Sequence, residues 1–220
     1  MISDVPNDDS RIIGSGLLFY SEDDVKLPKL PLKYAKYINS VKKEHENTGL
    51  EDFIWKIVAT LSDAKKAAKI KAQQLGYTVN LVDKFLDGNA EEVATMCVQT
   101  IQKKSDILFI WGGETTVILP KNAGKGGRNQ HLALSAAIEM QGLENVCLLA
   151  AGTDGSDGMT TATGAVVDNQ TVVKGVSKGL DAVDYLKRAD SNSYFQKIDE
   201  LIITGATGTN VMDLVFAIKY

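Results

Sequence analysis

Ile107-Leu108-Phe109-Ile110-Trp111-Gly112-Gly113-Glu114-Thr115-Thr116 decides the fold. Five apolar residues in a row, broken at once by two glycines and a polar run, predict a buried strand that ends in a turn. Upstream, the segment from about Asn89 to Lys103 has the apolar spacing of a helix, and Tyr77 to Val82 reads as a strand. Before that strand, an Ala- and Lys-rich helix runs to Leu75, capped by Ser62 or Asp63 and stopped by Gly76. Phe53-Ile54-Trp55-Lys56-Ile57-Val58-Ala59 is predicted to be a further buried strand. The succession is βαβαβ, which implies parallel strands, right-handed crossovers and helices on the sheet faces. The expected fold class is therefore α/β, a three-layer α/β/α arrangement with a parallel-to-mixed sheet.

Downstream the pattern continues less regularly. Asn129 to Met140 reads as a helix and Val146 to Ala151 as a buried strand. Gly164 to Asp168, followed by Thr171-Val172-Val173, resembles a β-hairpin turning at Asn169-Gln170. Leu201-Ile202-Ile203 is expected as a last central strand. Leu214 to Ile218 fits strand or helix, and strand is favoured, which would make the sheet mixed. Residues 1–50 differ in character: they hold three of the four prolines and a Lys-rich, helical-looking stretch from Lys33 to Glu46.

Composition narrows the function. A hydrophobic content of 44% and a charged content of 24% are ordinary for a globular protein. A net charge of -4 gives no general attraction to nucleic acid or anionic membranes. No apolar run reaches membrane-spanning length, and the first residues lack the layout of a signal peptide. Cys97 and Cys147 sit in apolar surroundings without a CxxC or CxxH neighbour, which fits core residues in a reducing cytoplasm.

The chemistry is expected at strand ends. Three predicted strands end in glycine-bearing polar turns: Gly112-Gly113-Glu114-Thr115-Thr116, Gly152-Thr153-Asp154-Gly155-Ser156-Asp157-Gly158, and Thr204-Gly205-Ala206-Thr207-Gly208-Thr209-Asn210. In open α/β sheets ligands bind outside the carboxyl ends of the strands, so these turns should gather on one rim. Gly124-Lys125-Gly126-Gly127-Arg128-Asn129-Gln130 leads straight into a helix, combining helix N-terminal amides with two cations, the equipment for phosphate or carboxylate. It is not a Walker A loop, since no Gly-Lys-Ser/Thr stands at the required spacing. Asp154 and Asp157 flank a glycine turn and could share a divalent ion, with Glu114 a third carboxylate on the rim. The same aspartates could instead each close an Asx turn. His131 falls near Arg128 without an evident dyad partner, His45 lies in a charged stretch, and no dinucleotide fingerprint follows the first strand.

Taken in order, Gly112-Gly113-Glu114-Thr115-Thr116-Val117, Gly126-Gly127-Arg128-Asn129-Gln130, Ala151-Gly152-Thr153-Asp154-Gly155 with Asp157-Gly158, and Thr207-Gly208-Thr209-Asn210-Val211 closely resemble the MOFRL domain of the glycerate 2-kinase family. Many members of that family carry the label hydroxypyruvate reductase. The resemblance runs from about residue 52 to the end of the chain. It implies a MOFRL-like α/β domain over 51–220, with 1–50 the remnant of a preceding domain plus a linker. It also implies transfer of the γ-phosphoryl group of ATP, with Mg²⁺, to D-glycerate, giving 2-phosphoglycerate in a cleft between two domains. The family's catalytic arginine falls on Arg128. On that footing Lys125 and Asp154 join Arg128 as catalytic candidates, and Asp154 with Asp157 are the metal candidates. Gly112, Gly113, Glu114, Thr115, Gly126, Gly127, Asn129, Gln130, Thr153, Gly155, Thr207, Gly208, Thr209 and Asn210 are expected to bind phosphate or substrate. The partner expected besides glycerate is an N-terminal domain or separate subunit supplying the other half of the cleft. The chain departs from the family pattern at Gly16-Leu17-Leu18, Trp111, Thr161 and His131, where glutamate is usual. Alternative readings are a hydroxypyruvate reductase and a non-catalytic anion-binding module.

Overall fold

Gly113 at the end of one strand, Asp213 at the start of another and Gly152 at the end of a third stand in register across the sheet. That row locates the functional rim, and the computed structural model shows how the chain builds it. The structure describes residues 1–16, 31, 32, 34 and 54–220. Among these, six strands form one sheet: β1 (Thr78–Leu81), β2 (Ile107–Gly113), β3 (Val146–Gly152), β4 (Gly164–Asp168), β5 (Leu201–Ile202) and β6 (Asp213–Lys219). Their order is β1-β2-β6-β3-β4-β5. Among these six strands only β1 and β2 pair in parallel, and every other strand pairing is antiparallel. The sheet is mixed because β6 slots between β2 and β3 and runs against both.

Six helices accompany the strands: α1 (Leu61–Gln74), α2 (Ala90–Gln102), α3 (Arg128–Glu139), α4 (Thr171–Ser177), α5 (Ala182–Lys187) and α6 (Ser191–Ile198). Strand alternation assigns them to layers. Phe109 and Trp111 on β2 share a face with Val215 and Ala217 on β6 and with Leu148 and Ala150 on β3, and all six belong to the buried core. That face is covered by α2 and α3. Ile110 and Gly112 point the other way, where a side chain at Gly112 would run into Leu61 of α1. The result is three layers.

Helix α3 is buried on nearly every side from Asn129 to Ala137, as expected of a helix enclosed between a sheet and other helices. Its Ala133, Ala136 and Ala137 are at most 1% exposed and let its neighbours approach closely. Helix α1 begins with a reciprocal capping box, in which Thr60 accepts from the Asp63 N–H and Asp63 accepts from the Thr60 N–H. The cap is therefore Thr60, the residue directly before the helix, rather than Ser62 or Asp63.

Three expectations change. Residues 54–60 are not a buried strand: Ile54 is 95% exposed, and only Ala59 bridges, in parallel to Ile2. The chain start holds that segment through Val58 N–H to the Met1 carbonyl and Ser3 N–H to the Ala59 carbonyl. The hairpin expected at 164–173 is instead a strand followed by α4. Gln170 donates its N–H to the Asp168 carboxylate and Asp168 donates its N–H to Thr171 Oγ1, which starts a helix rather than a return strand. Helix α4 then packs Gly175 against the buried Tyr194. Finally, β5 is an edge strand paired to β4 alone, not a central one. Helices α5 and α6 lie in a stretch left unassigned by apolar periodicity. The helical-looking stretch from Lys33 to Glu46 lies, but for residue 34, outside the described residues.

Candidate active site

The antiparallel β6 does not scatter the strand-end turns, because its start lies beside the ends of β2 and β3. Helix α3 points its N-terminus at the same place. Beyond β2, Glu114 and Thr116 donate their N–H groups to the carbonyls of Leu86 and Gly88, so the turn is zipped to the chain entering α2. Gly113 must be glycine there, since a Cβ would stand 2.0 Å from the Leu86 carbonyl oxygen.

Arg128, the first residue of α3, lies at the centre. Its Nε and Nη2 grip the two oxygens of Asp213, and its Nη1 donates to Glu114 Oε1 at 2.5 Å. Asp213 is 5% exposed. Burial works against the guanidinium charge, but the Asp213 and Glu114 carboxylates outweigh it and hold Arg128 above its ordinary pKa. A bidentate, partly desolvated pair of this kind fixes the plane of the guanidinium as well as its charge.

The glycine loop before α3 is clamped from two sides. Gly124 donates to the Arg188 carbonyl and the Lys125 N–H to Asp190 Oδ1, while Asn192 donates to the Lys125 carbonyl. On the other side Gly127 lies so close to Asp157 that a Cβ would stand 2.3 Å from its carboxyl carbon. Asp157 Oδ1 accepts from the Asn129 N–H and side-chain amide, and Oδ2 from the Gln130 N–H and side-chain amide. Burial pushes the Asp157 carboxyl above its ordinary range, the amides of Gln130 and Asn129 pull it back, and the Asp213 charge adds to the rise.

These bonds reassign the metal candidates. Asp157 spends both oxygens capping α3. Asp154 closes an Asx turn, accepting from the Ser156 N–H and hydroxyl. No group of three or more possible ligands among the described residues could hold a metal ion. With four donors on Asp157 the two aspartates are not an open pair for Mg²⁺, whereas Asp154 accepts one hydrogen bond at each oxygen and keeps lone pairs at the cleft wall. Nor are the amides of Asn129 and Gln130 available to a phosphate, since Asp157 already takes them.

A cleft of about 700 Å³ opens over this region, within the range of small-ligand sites. Its wall includes Thr115, Lys125, Gly126, Gly127, Arg128 and Asp154, and Asp157 lies in it as the helix cap. Glu114 reaches the site through Arg128. The remaining candidates support it from outside the lining. Gly112 faces Leu61 and Gly155 packs on the Gly205 carbonyl. Thr153 and Thr207 bond each other's loop: the Thr207 hydroxyl donates to the Thr153 carbonyl, and the Val211 N–H donates to Thr153 Oγ1. Asn210 accepts from the Met212 N–H, and Gly208 and Thr209 lie in the same loop without lining the cleft. Sequence reasoning missed Asp213, Ser191 and the partner of His131, which is Glu91 on α2. For Asp213 the available signal was an acidic residue directly ahead of the apolar run 214–218.

Residues 107–213 match the model of the MOFRL family. D-glycerate 2-kinase of Thermotoga maritima is 34% identical over 231 aligned positions, covering 99% of this chain and 55% of the relative. Glycerate 2-kinase of Pyrococcus horikoshii is 35% identical over 170 positions, covering 74% of this chain and 38% of the relative. The crystal structure of glycerate kinase from Thermotoga maritima superposes with a TM-score of 0.79 at 31% identity, over 99% of this chain and 56% of that one. The chain thus spans about half the length of the curated relatives it matches.

Proposed function

The chain belongs to the glycerate 2-kinase (MOFRL) family, and from that premise we propose that it serves ATP-dependent phosphorylation of D-glycerate to 2-phosphoglycerate, supplying the Arg128 wall of the active-site cleft. The observation that carries the reading is the placement of Arg128 at a helix N-terminus, oriented by Asp213 and Glu114 and facing the cleft. Phosphoryl transfer asks a protein mainly for positioning and for neutralising charge on the migrating group. A guanidinium has five N–H donors; three are engaged by carboxylates, which leaves two to meet a phosphoryl or carboxylate oxygen. The Lys125 side chain adds a second cation to the cleft wall.

ATP is the phosphoryl donor in this reading, and Mg²⁺ is the ion that accompanies it. No step is assigned to the ion; Asp157 is taken up by the helix cap, and Asp154 on the cleft wall is the carboxylate that would hold it. The four carboxylates Glu114, Asp154, Asp157 and Asp213 outnumber the two cations Lys125 and Arg128. An anionic substrate would thus gain from positive charge supplied across the cleft, by a further domain or a separate subunit. Within this reading residues 51–220 are the MOFRL-like unit and 1–50 belong with that other half. This reading takes the cytoplasm as the setting. Separately, no helix among the described residues is long and apolar enough to cross a membrane.

The test is formation of 2-phosphoglycerate from ATP and D-glycerate, followed by phosphorus NMR, with this chain alone and with a candidate N-terminal domain added. Product with the added domain is expected. Hydroxypyruvate-dependent oxidation of NADH would overturn the reading in favour of a reductase. Nucleotide binding without turnover in both mixtures would overturn it in favour of a binding module.

A further inference from the structure

Thr115 Oγ1, His131 Nδ1 and Ser191 Oγ are buried and have no hydrogen-bond partner. Their residues are 5%, 4% and 1% exposed, and all three line the same cleft. An unpaired buried polar group is destabilising, so three of them in one wall stay costly unless something pairs with them. They come from three elements: the turn after β2, α3 one turn beyond Arg128, and the first residue of α6. The other such atom among the described residues, Glu200 Oε2, belongs to a residue paired with Lys174 and lies outside the cleft.

The chemistry of the three atoms is specific. His131 Nε2 faces Glu91 Oε1 at 3.2 Å. A carboxylate only accepts, so Nε2 carries a hydrogen, and in the neutral imidazole Nδ1 is then a lone pair that seeks a donor. The Thr115 and Ser191 hydroxyls can donate or accept. Ser191 Oγ also lies 2.5 Å from where a Cβ on Gly126 would stand, which places it directly behind the glycine loop. With the imidazole neutral, one acceptor and two hydroxyls complement an alcohol. The alcohol O–H donates to the imidazole, and its oxygen accepts from a neighbouring hydroxyl. The cations of the cleft stand beside this set: Arg128 lies one turn before His131 on α3, and Lys125 precedes the Gly126 that Ser191 lies behind.

We propose that Thr115, His131 and Ser191 form a hydroxyl-recognition subsite, which takes the alcohol-bearing part of a small hydroxy acid and leaves its carboxylate to the cations. The subsite rests on the functional reading above and narrows it by assigning the hydroxyl and the carboxylate of the ligand to different groups of the cleft wall. Sites that pair with a substrate hydroxyl discriminate strongly against analogues that lack it, because their own polar groups are then left unpaired.

The test is calorimetric titration of the full chain with D-glycerate, 3-hydroxypropionate and propionate, for the parent and for Thr115→Val, Ser191→Ala and His131→Phe. The parent is expected to prefer D-glycerate over propionate. Each variant should lose roughly tenfold in D-glycerate affinity with propionate binding unchanged. Thr115→Val and Ser191→Ala should melt no lower than the parent, since each removes an unpaired buried atom; this keeps the test informative if His131→Phe misfolds. Variants that bind D-glycerate as the parent does would overturn the subsite, as would a parent that binds hydroxy acids no better than propionate. If the parent prefers D-glycerate yet no phosphoryl transfer occurs with the added domain, the kinase reading fails and the subsite stands.

Discussion

At the scale of single residues, the site turns on Arg128 and Asp213. Because the pair is bidentate and Asp213 is 5% exposed, removing one partner affects the other. Arg128→Lys, Asp213→Asn and the double variant should therefore be non-additive in unfolding free energy by roughly 1 kcal/mol or more; additive losses in a urea-denaturation cycle would show the pair to be uncoupled. Lys65 offers a pH test. It is 7% exposed, and burial lowers its pKa from the ordinary 10.5, against a weaker opposing pull from Asp83. Across the window from that lowered value up to 10.5 the unfolded chain binds more protons than the folded one, so stability rises with pH there. Lys65→Met removes the penalty of a buried charge, so its stability advantage over the parent should shrink as pH climbs through that window. Urea midpoints for both proteins from neutral pH to 10.5 would check this, and a constant difference would contradict it.

At the scale of elements, α3 carries the site, and Asp157 carries the start of α3. The cap spans 28 positions of sequence and satisfies the second and third amides of the helix. Asp157→Ala should cost roughly 2 kcal/mol, read as a lowered urea midpoint; an unchanged midpoint would remove Asp157 from this role. The helices and strands with long, regular apolar spacing were legible in the sequence: α2, α3, β2, β3 and β6 fall within a residue or two of their expected bounds. The failures share a cause. Phe53 to Ala59 and Thr171 to Val173 have strand-like composition, but over a few residues composition does not say whether a pairing partner exists. The described part of the first segment bonds to the chain start, and the second lies against Tyr194 and folds as a helix.

At the scale of the whole molecule, the mixed sheet places β6 at the centre, bonded on both sides over most of its length. Amide exchange should therefore be slowest at Val215 to Ile218 and much faster at Leu201 and Ile202, which pair on one side only. Hydrogen-exchange mass spectrometry resolves the two segments, and equal protection would contradict the order. The same topology accounts for the rim. The strand-end turns meet as they would in an open parallel sheet, although β6 runs the other way, because the start of β6 lies level with the ends of β2 and β3.

By itself the sequence determined the α/β class, the main elements, the family resemblance and the glycine-rich turns around Arg128, all of which local spacing encodes. Only the tertiary structure decided the direction of β6, since an apolar run reads the same both ways. Only it decided what the carboxylates do: Asp213, 85 positions from Arg128, became its clamp, and Asp157 became a helix cap instead of a metal ligand. Hydrogen bonding across such separations depends on how the elements pack against one another, and no short stretch of sequence records that.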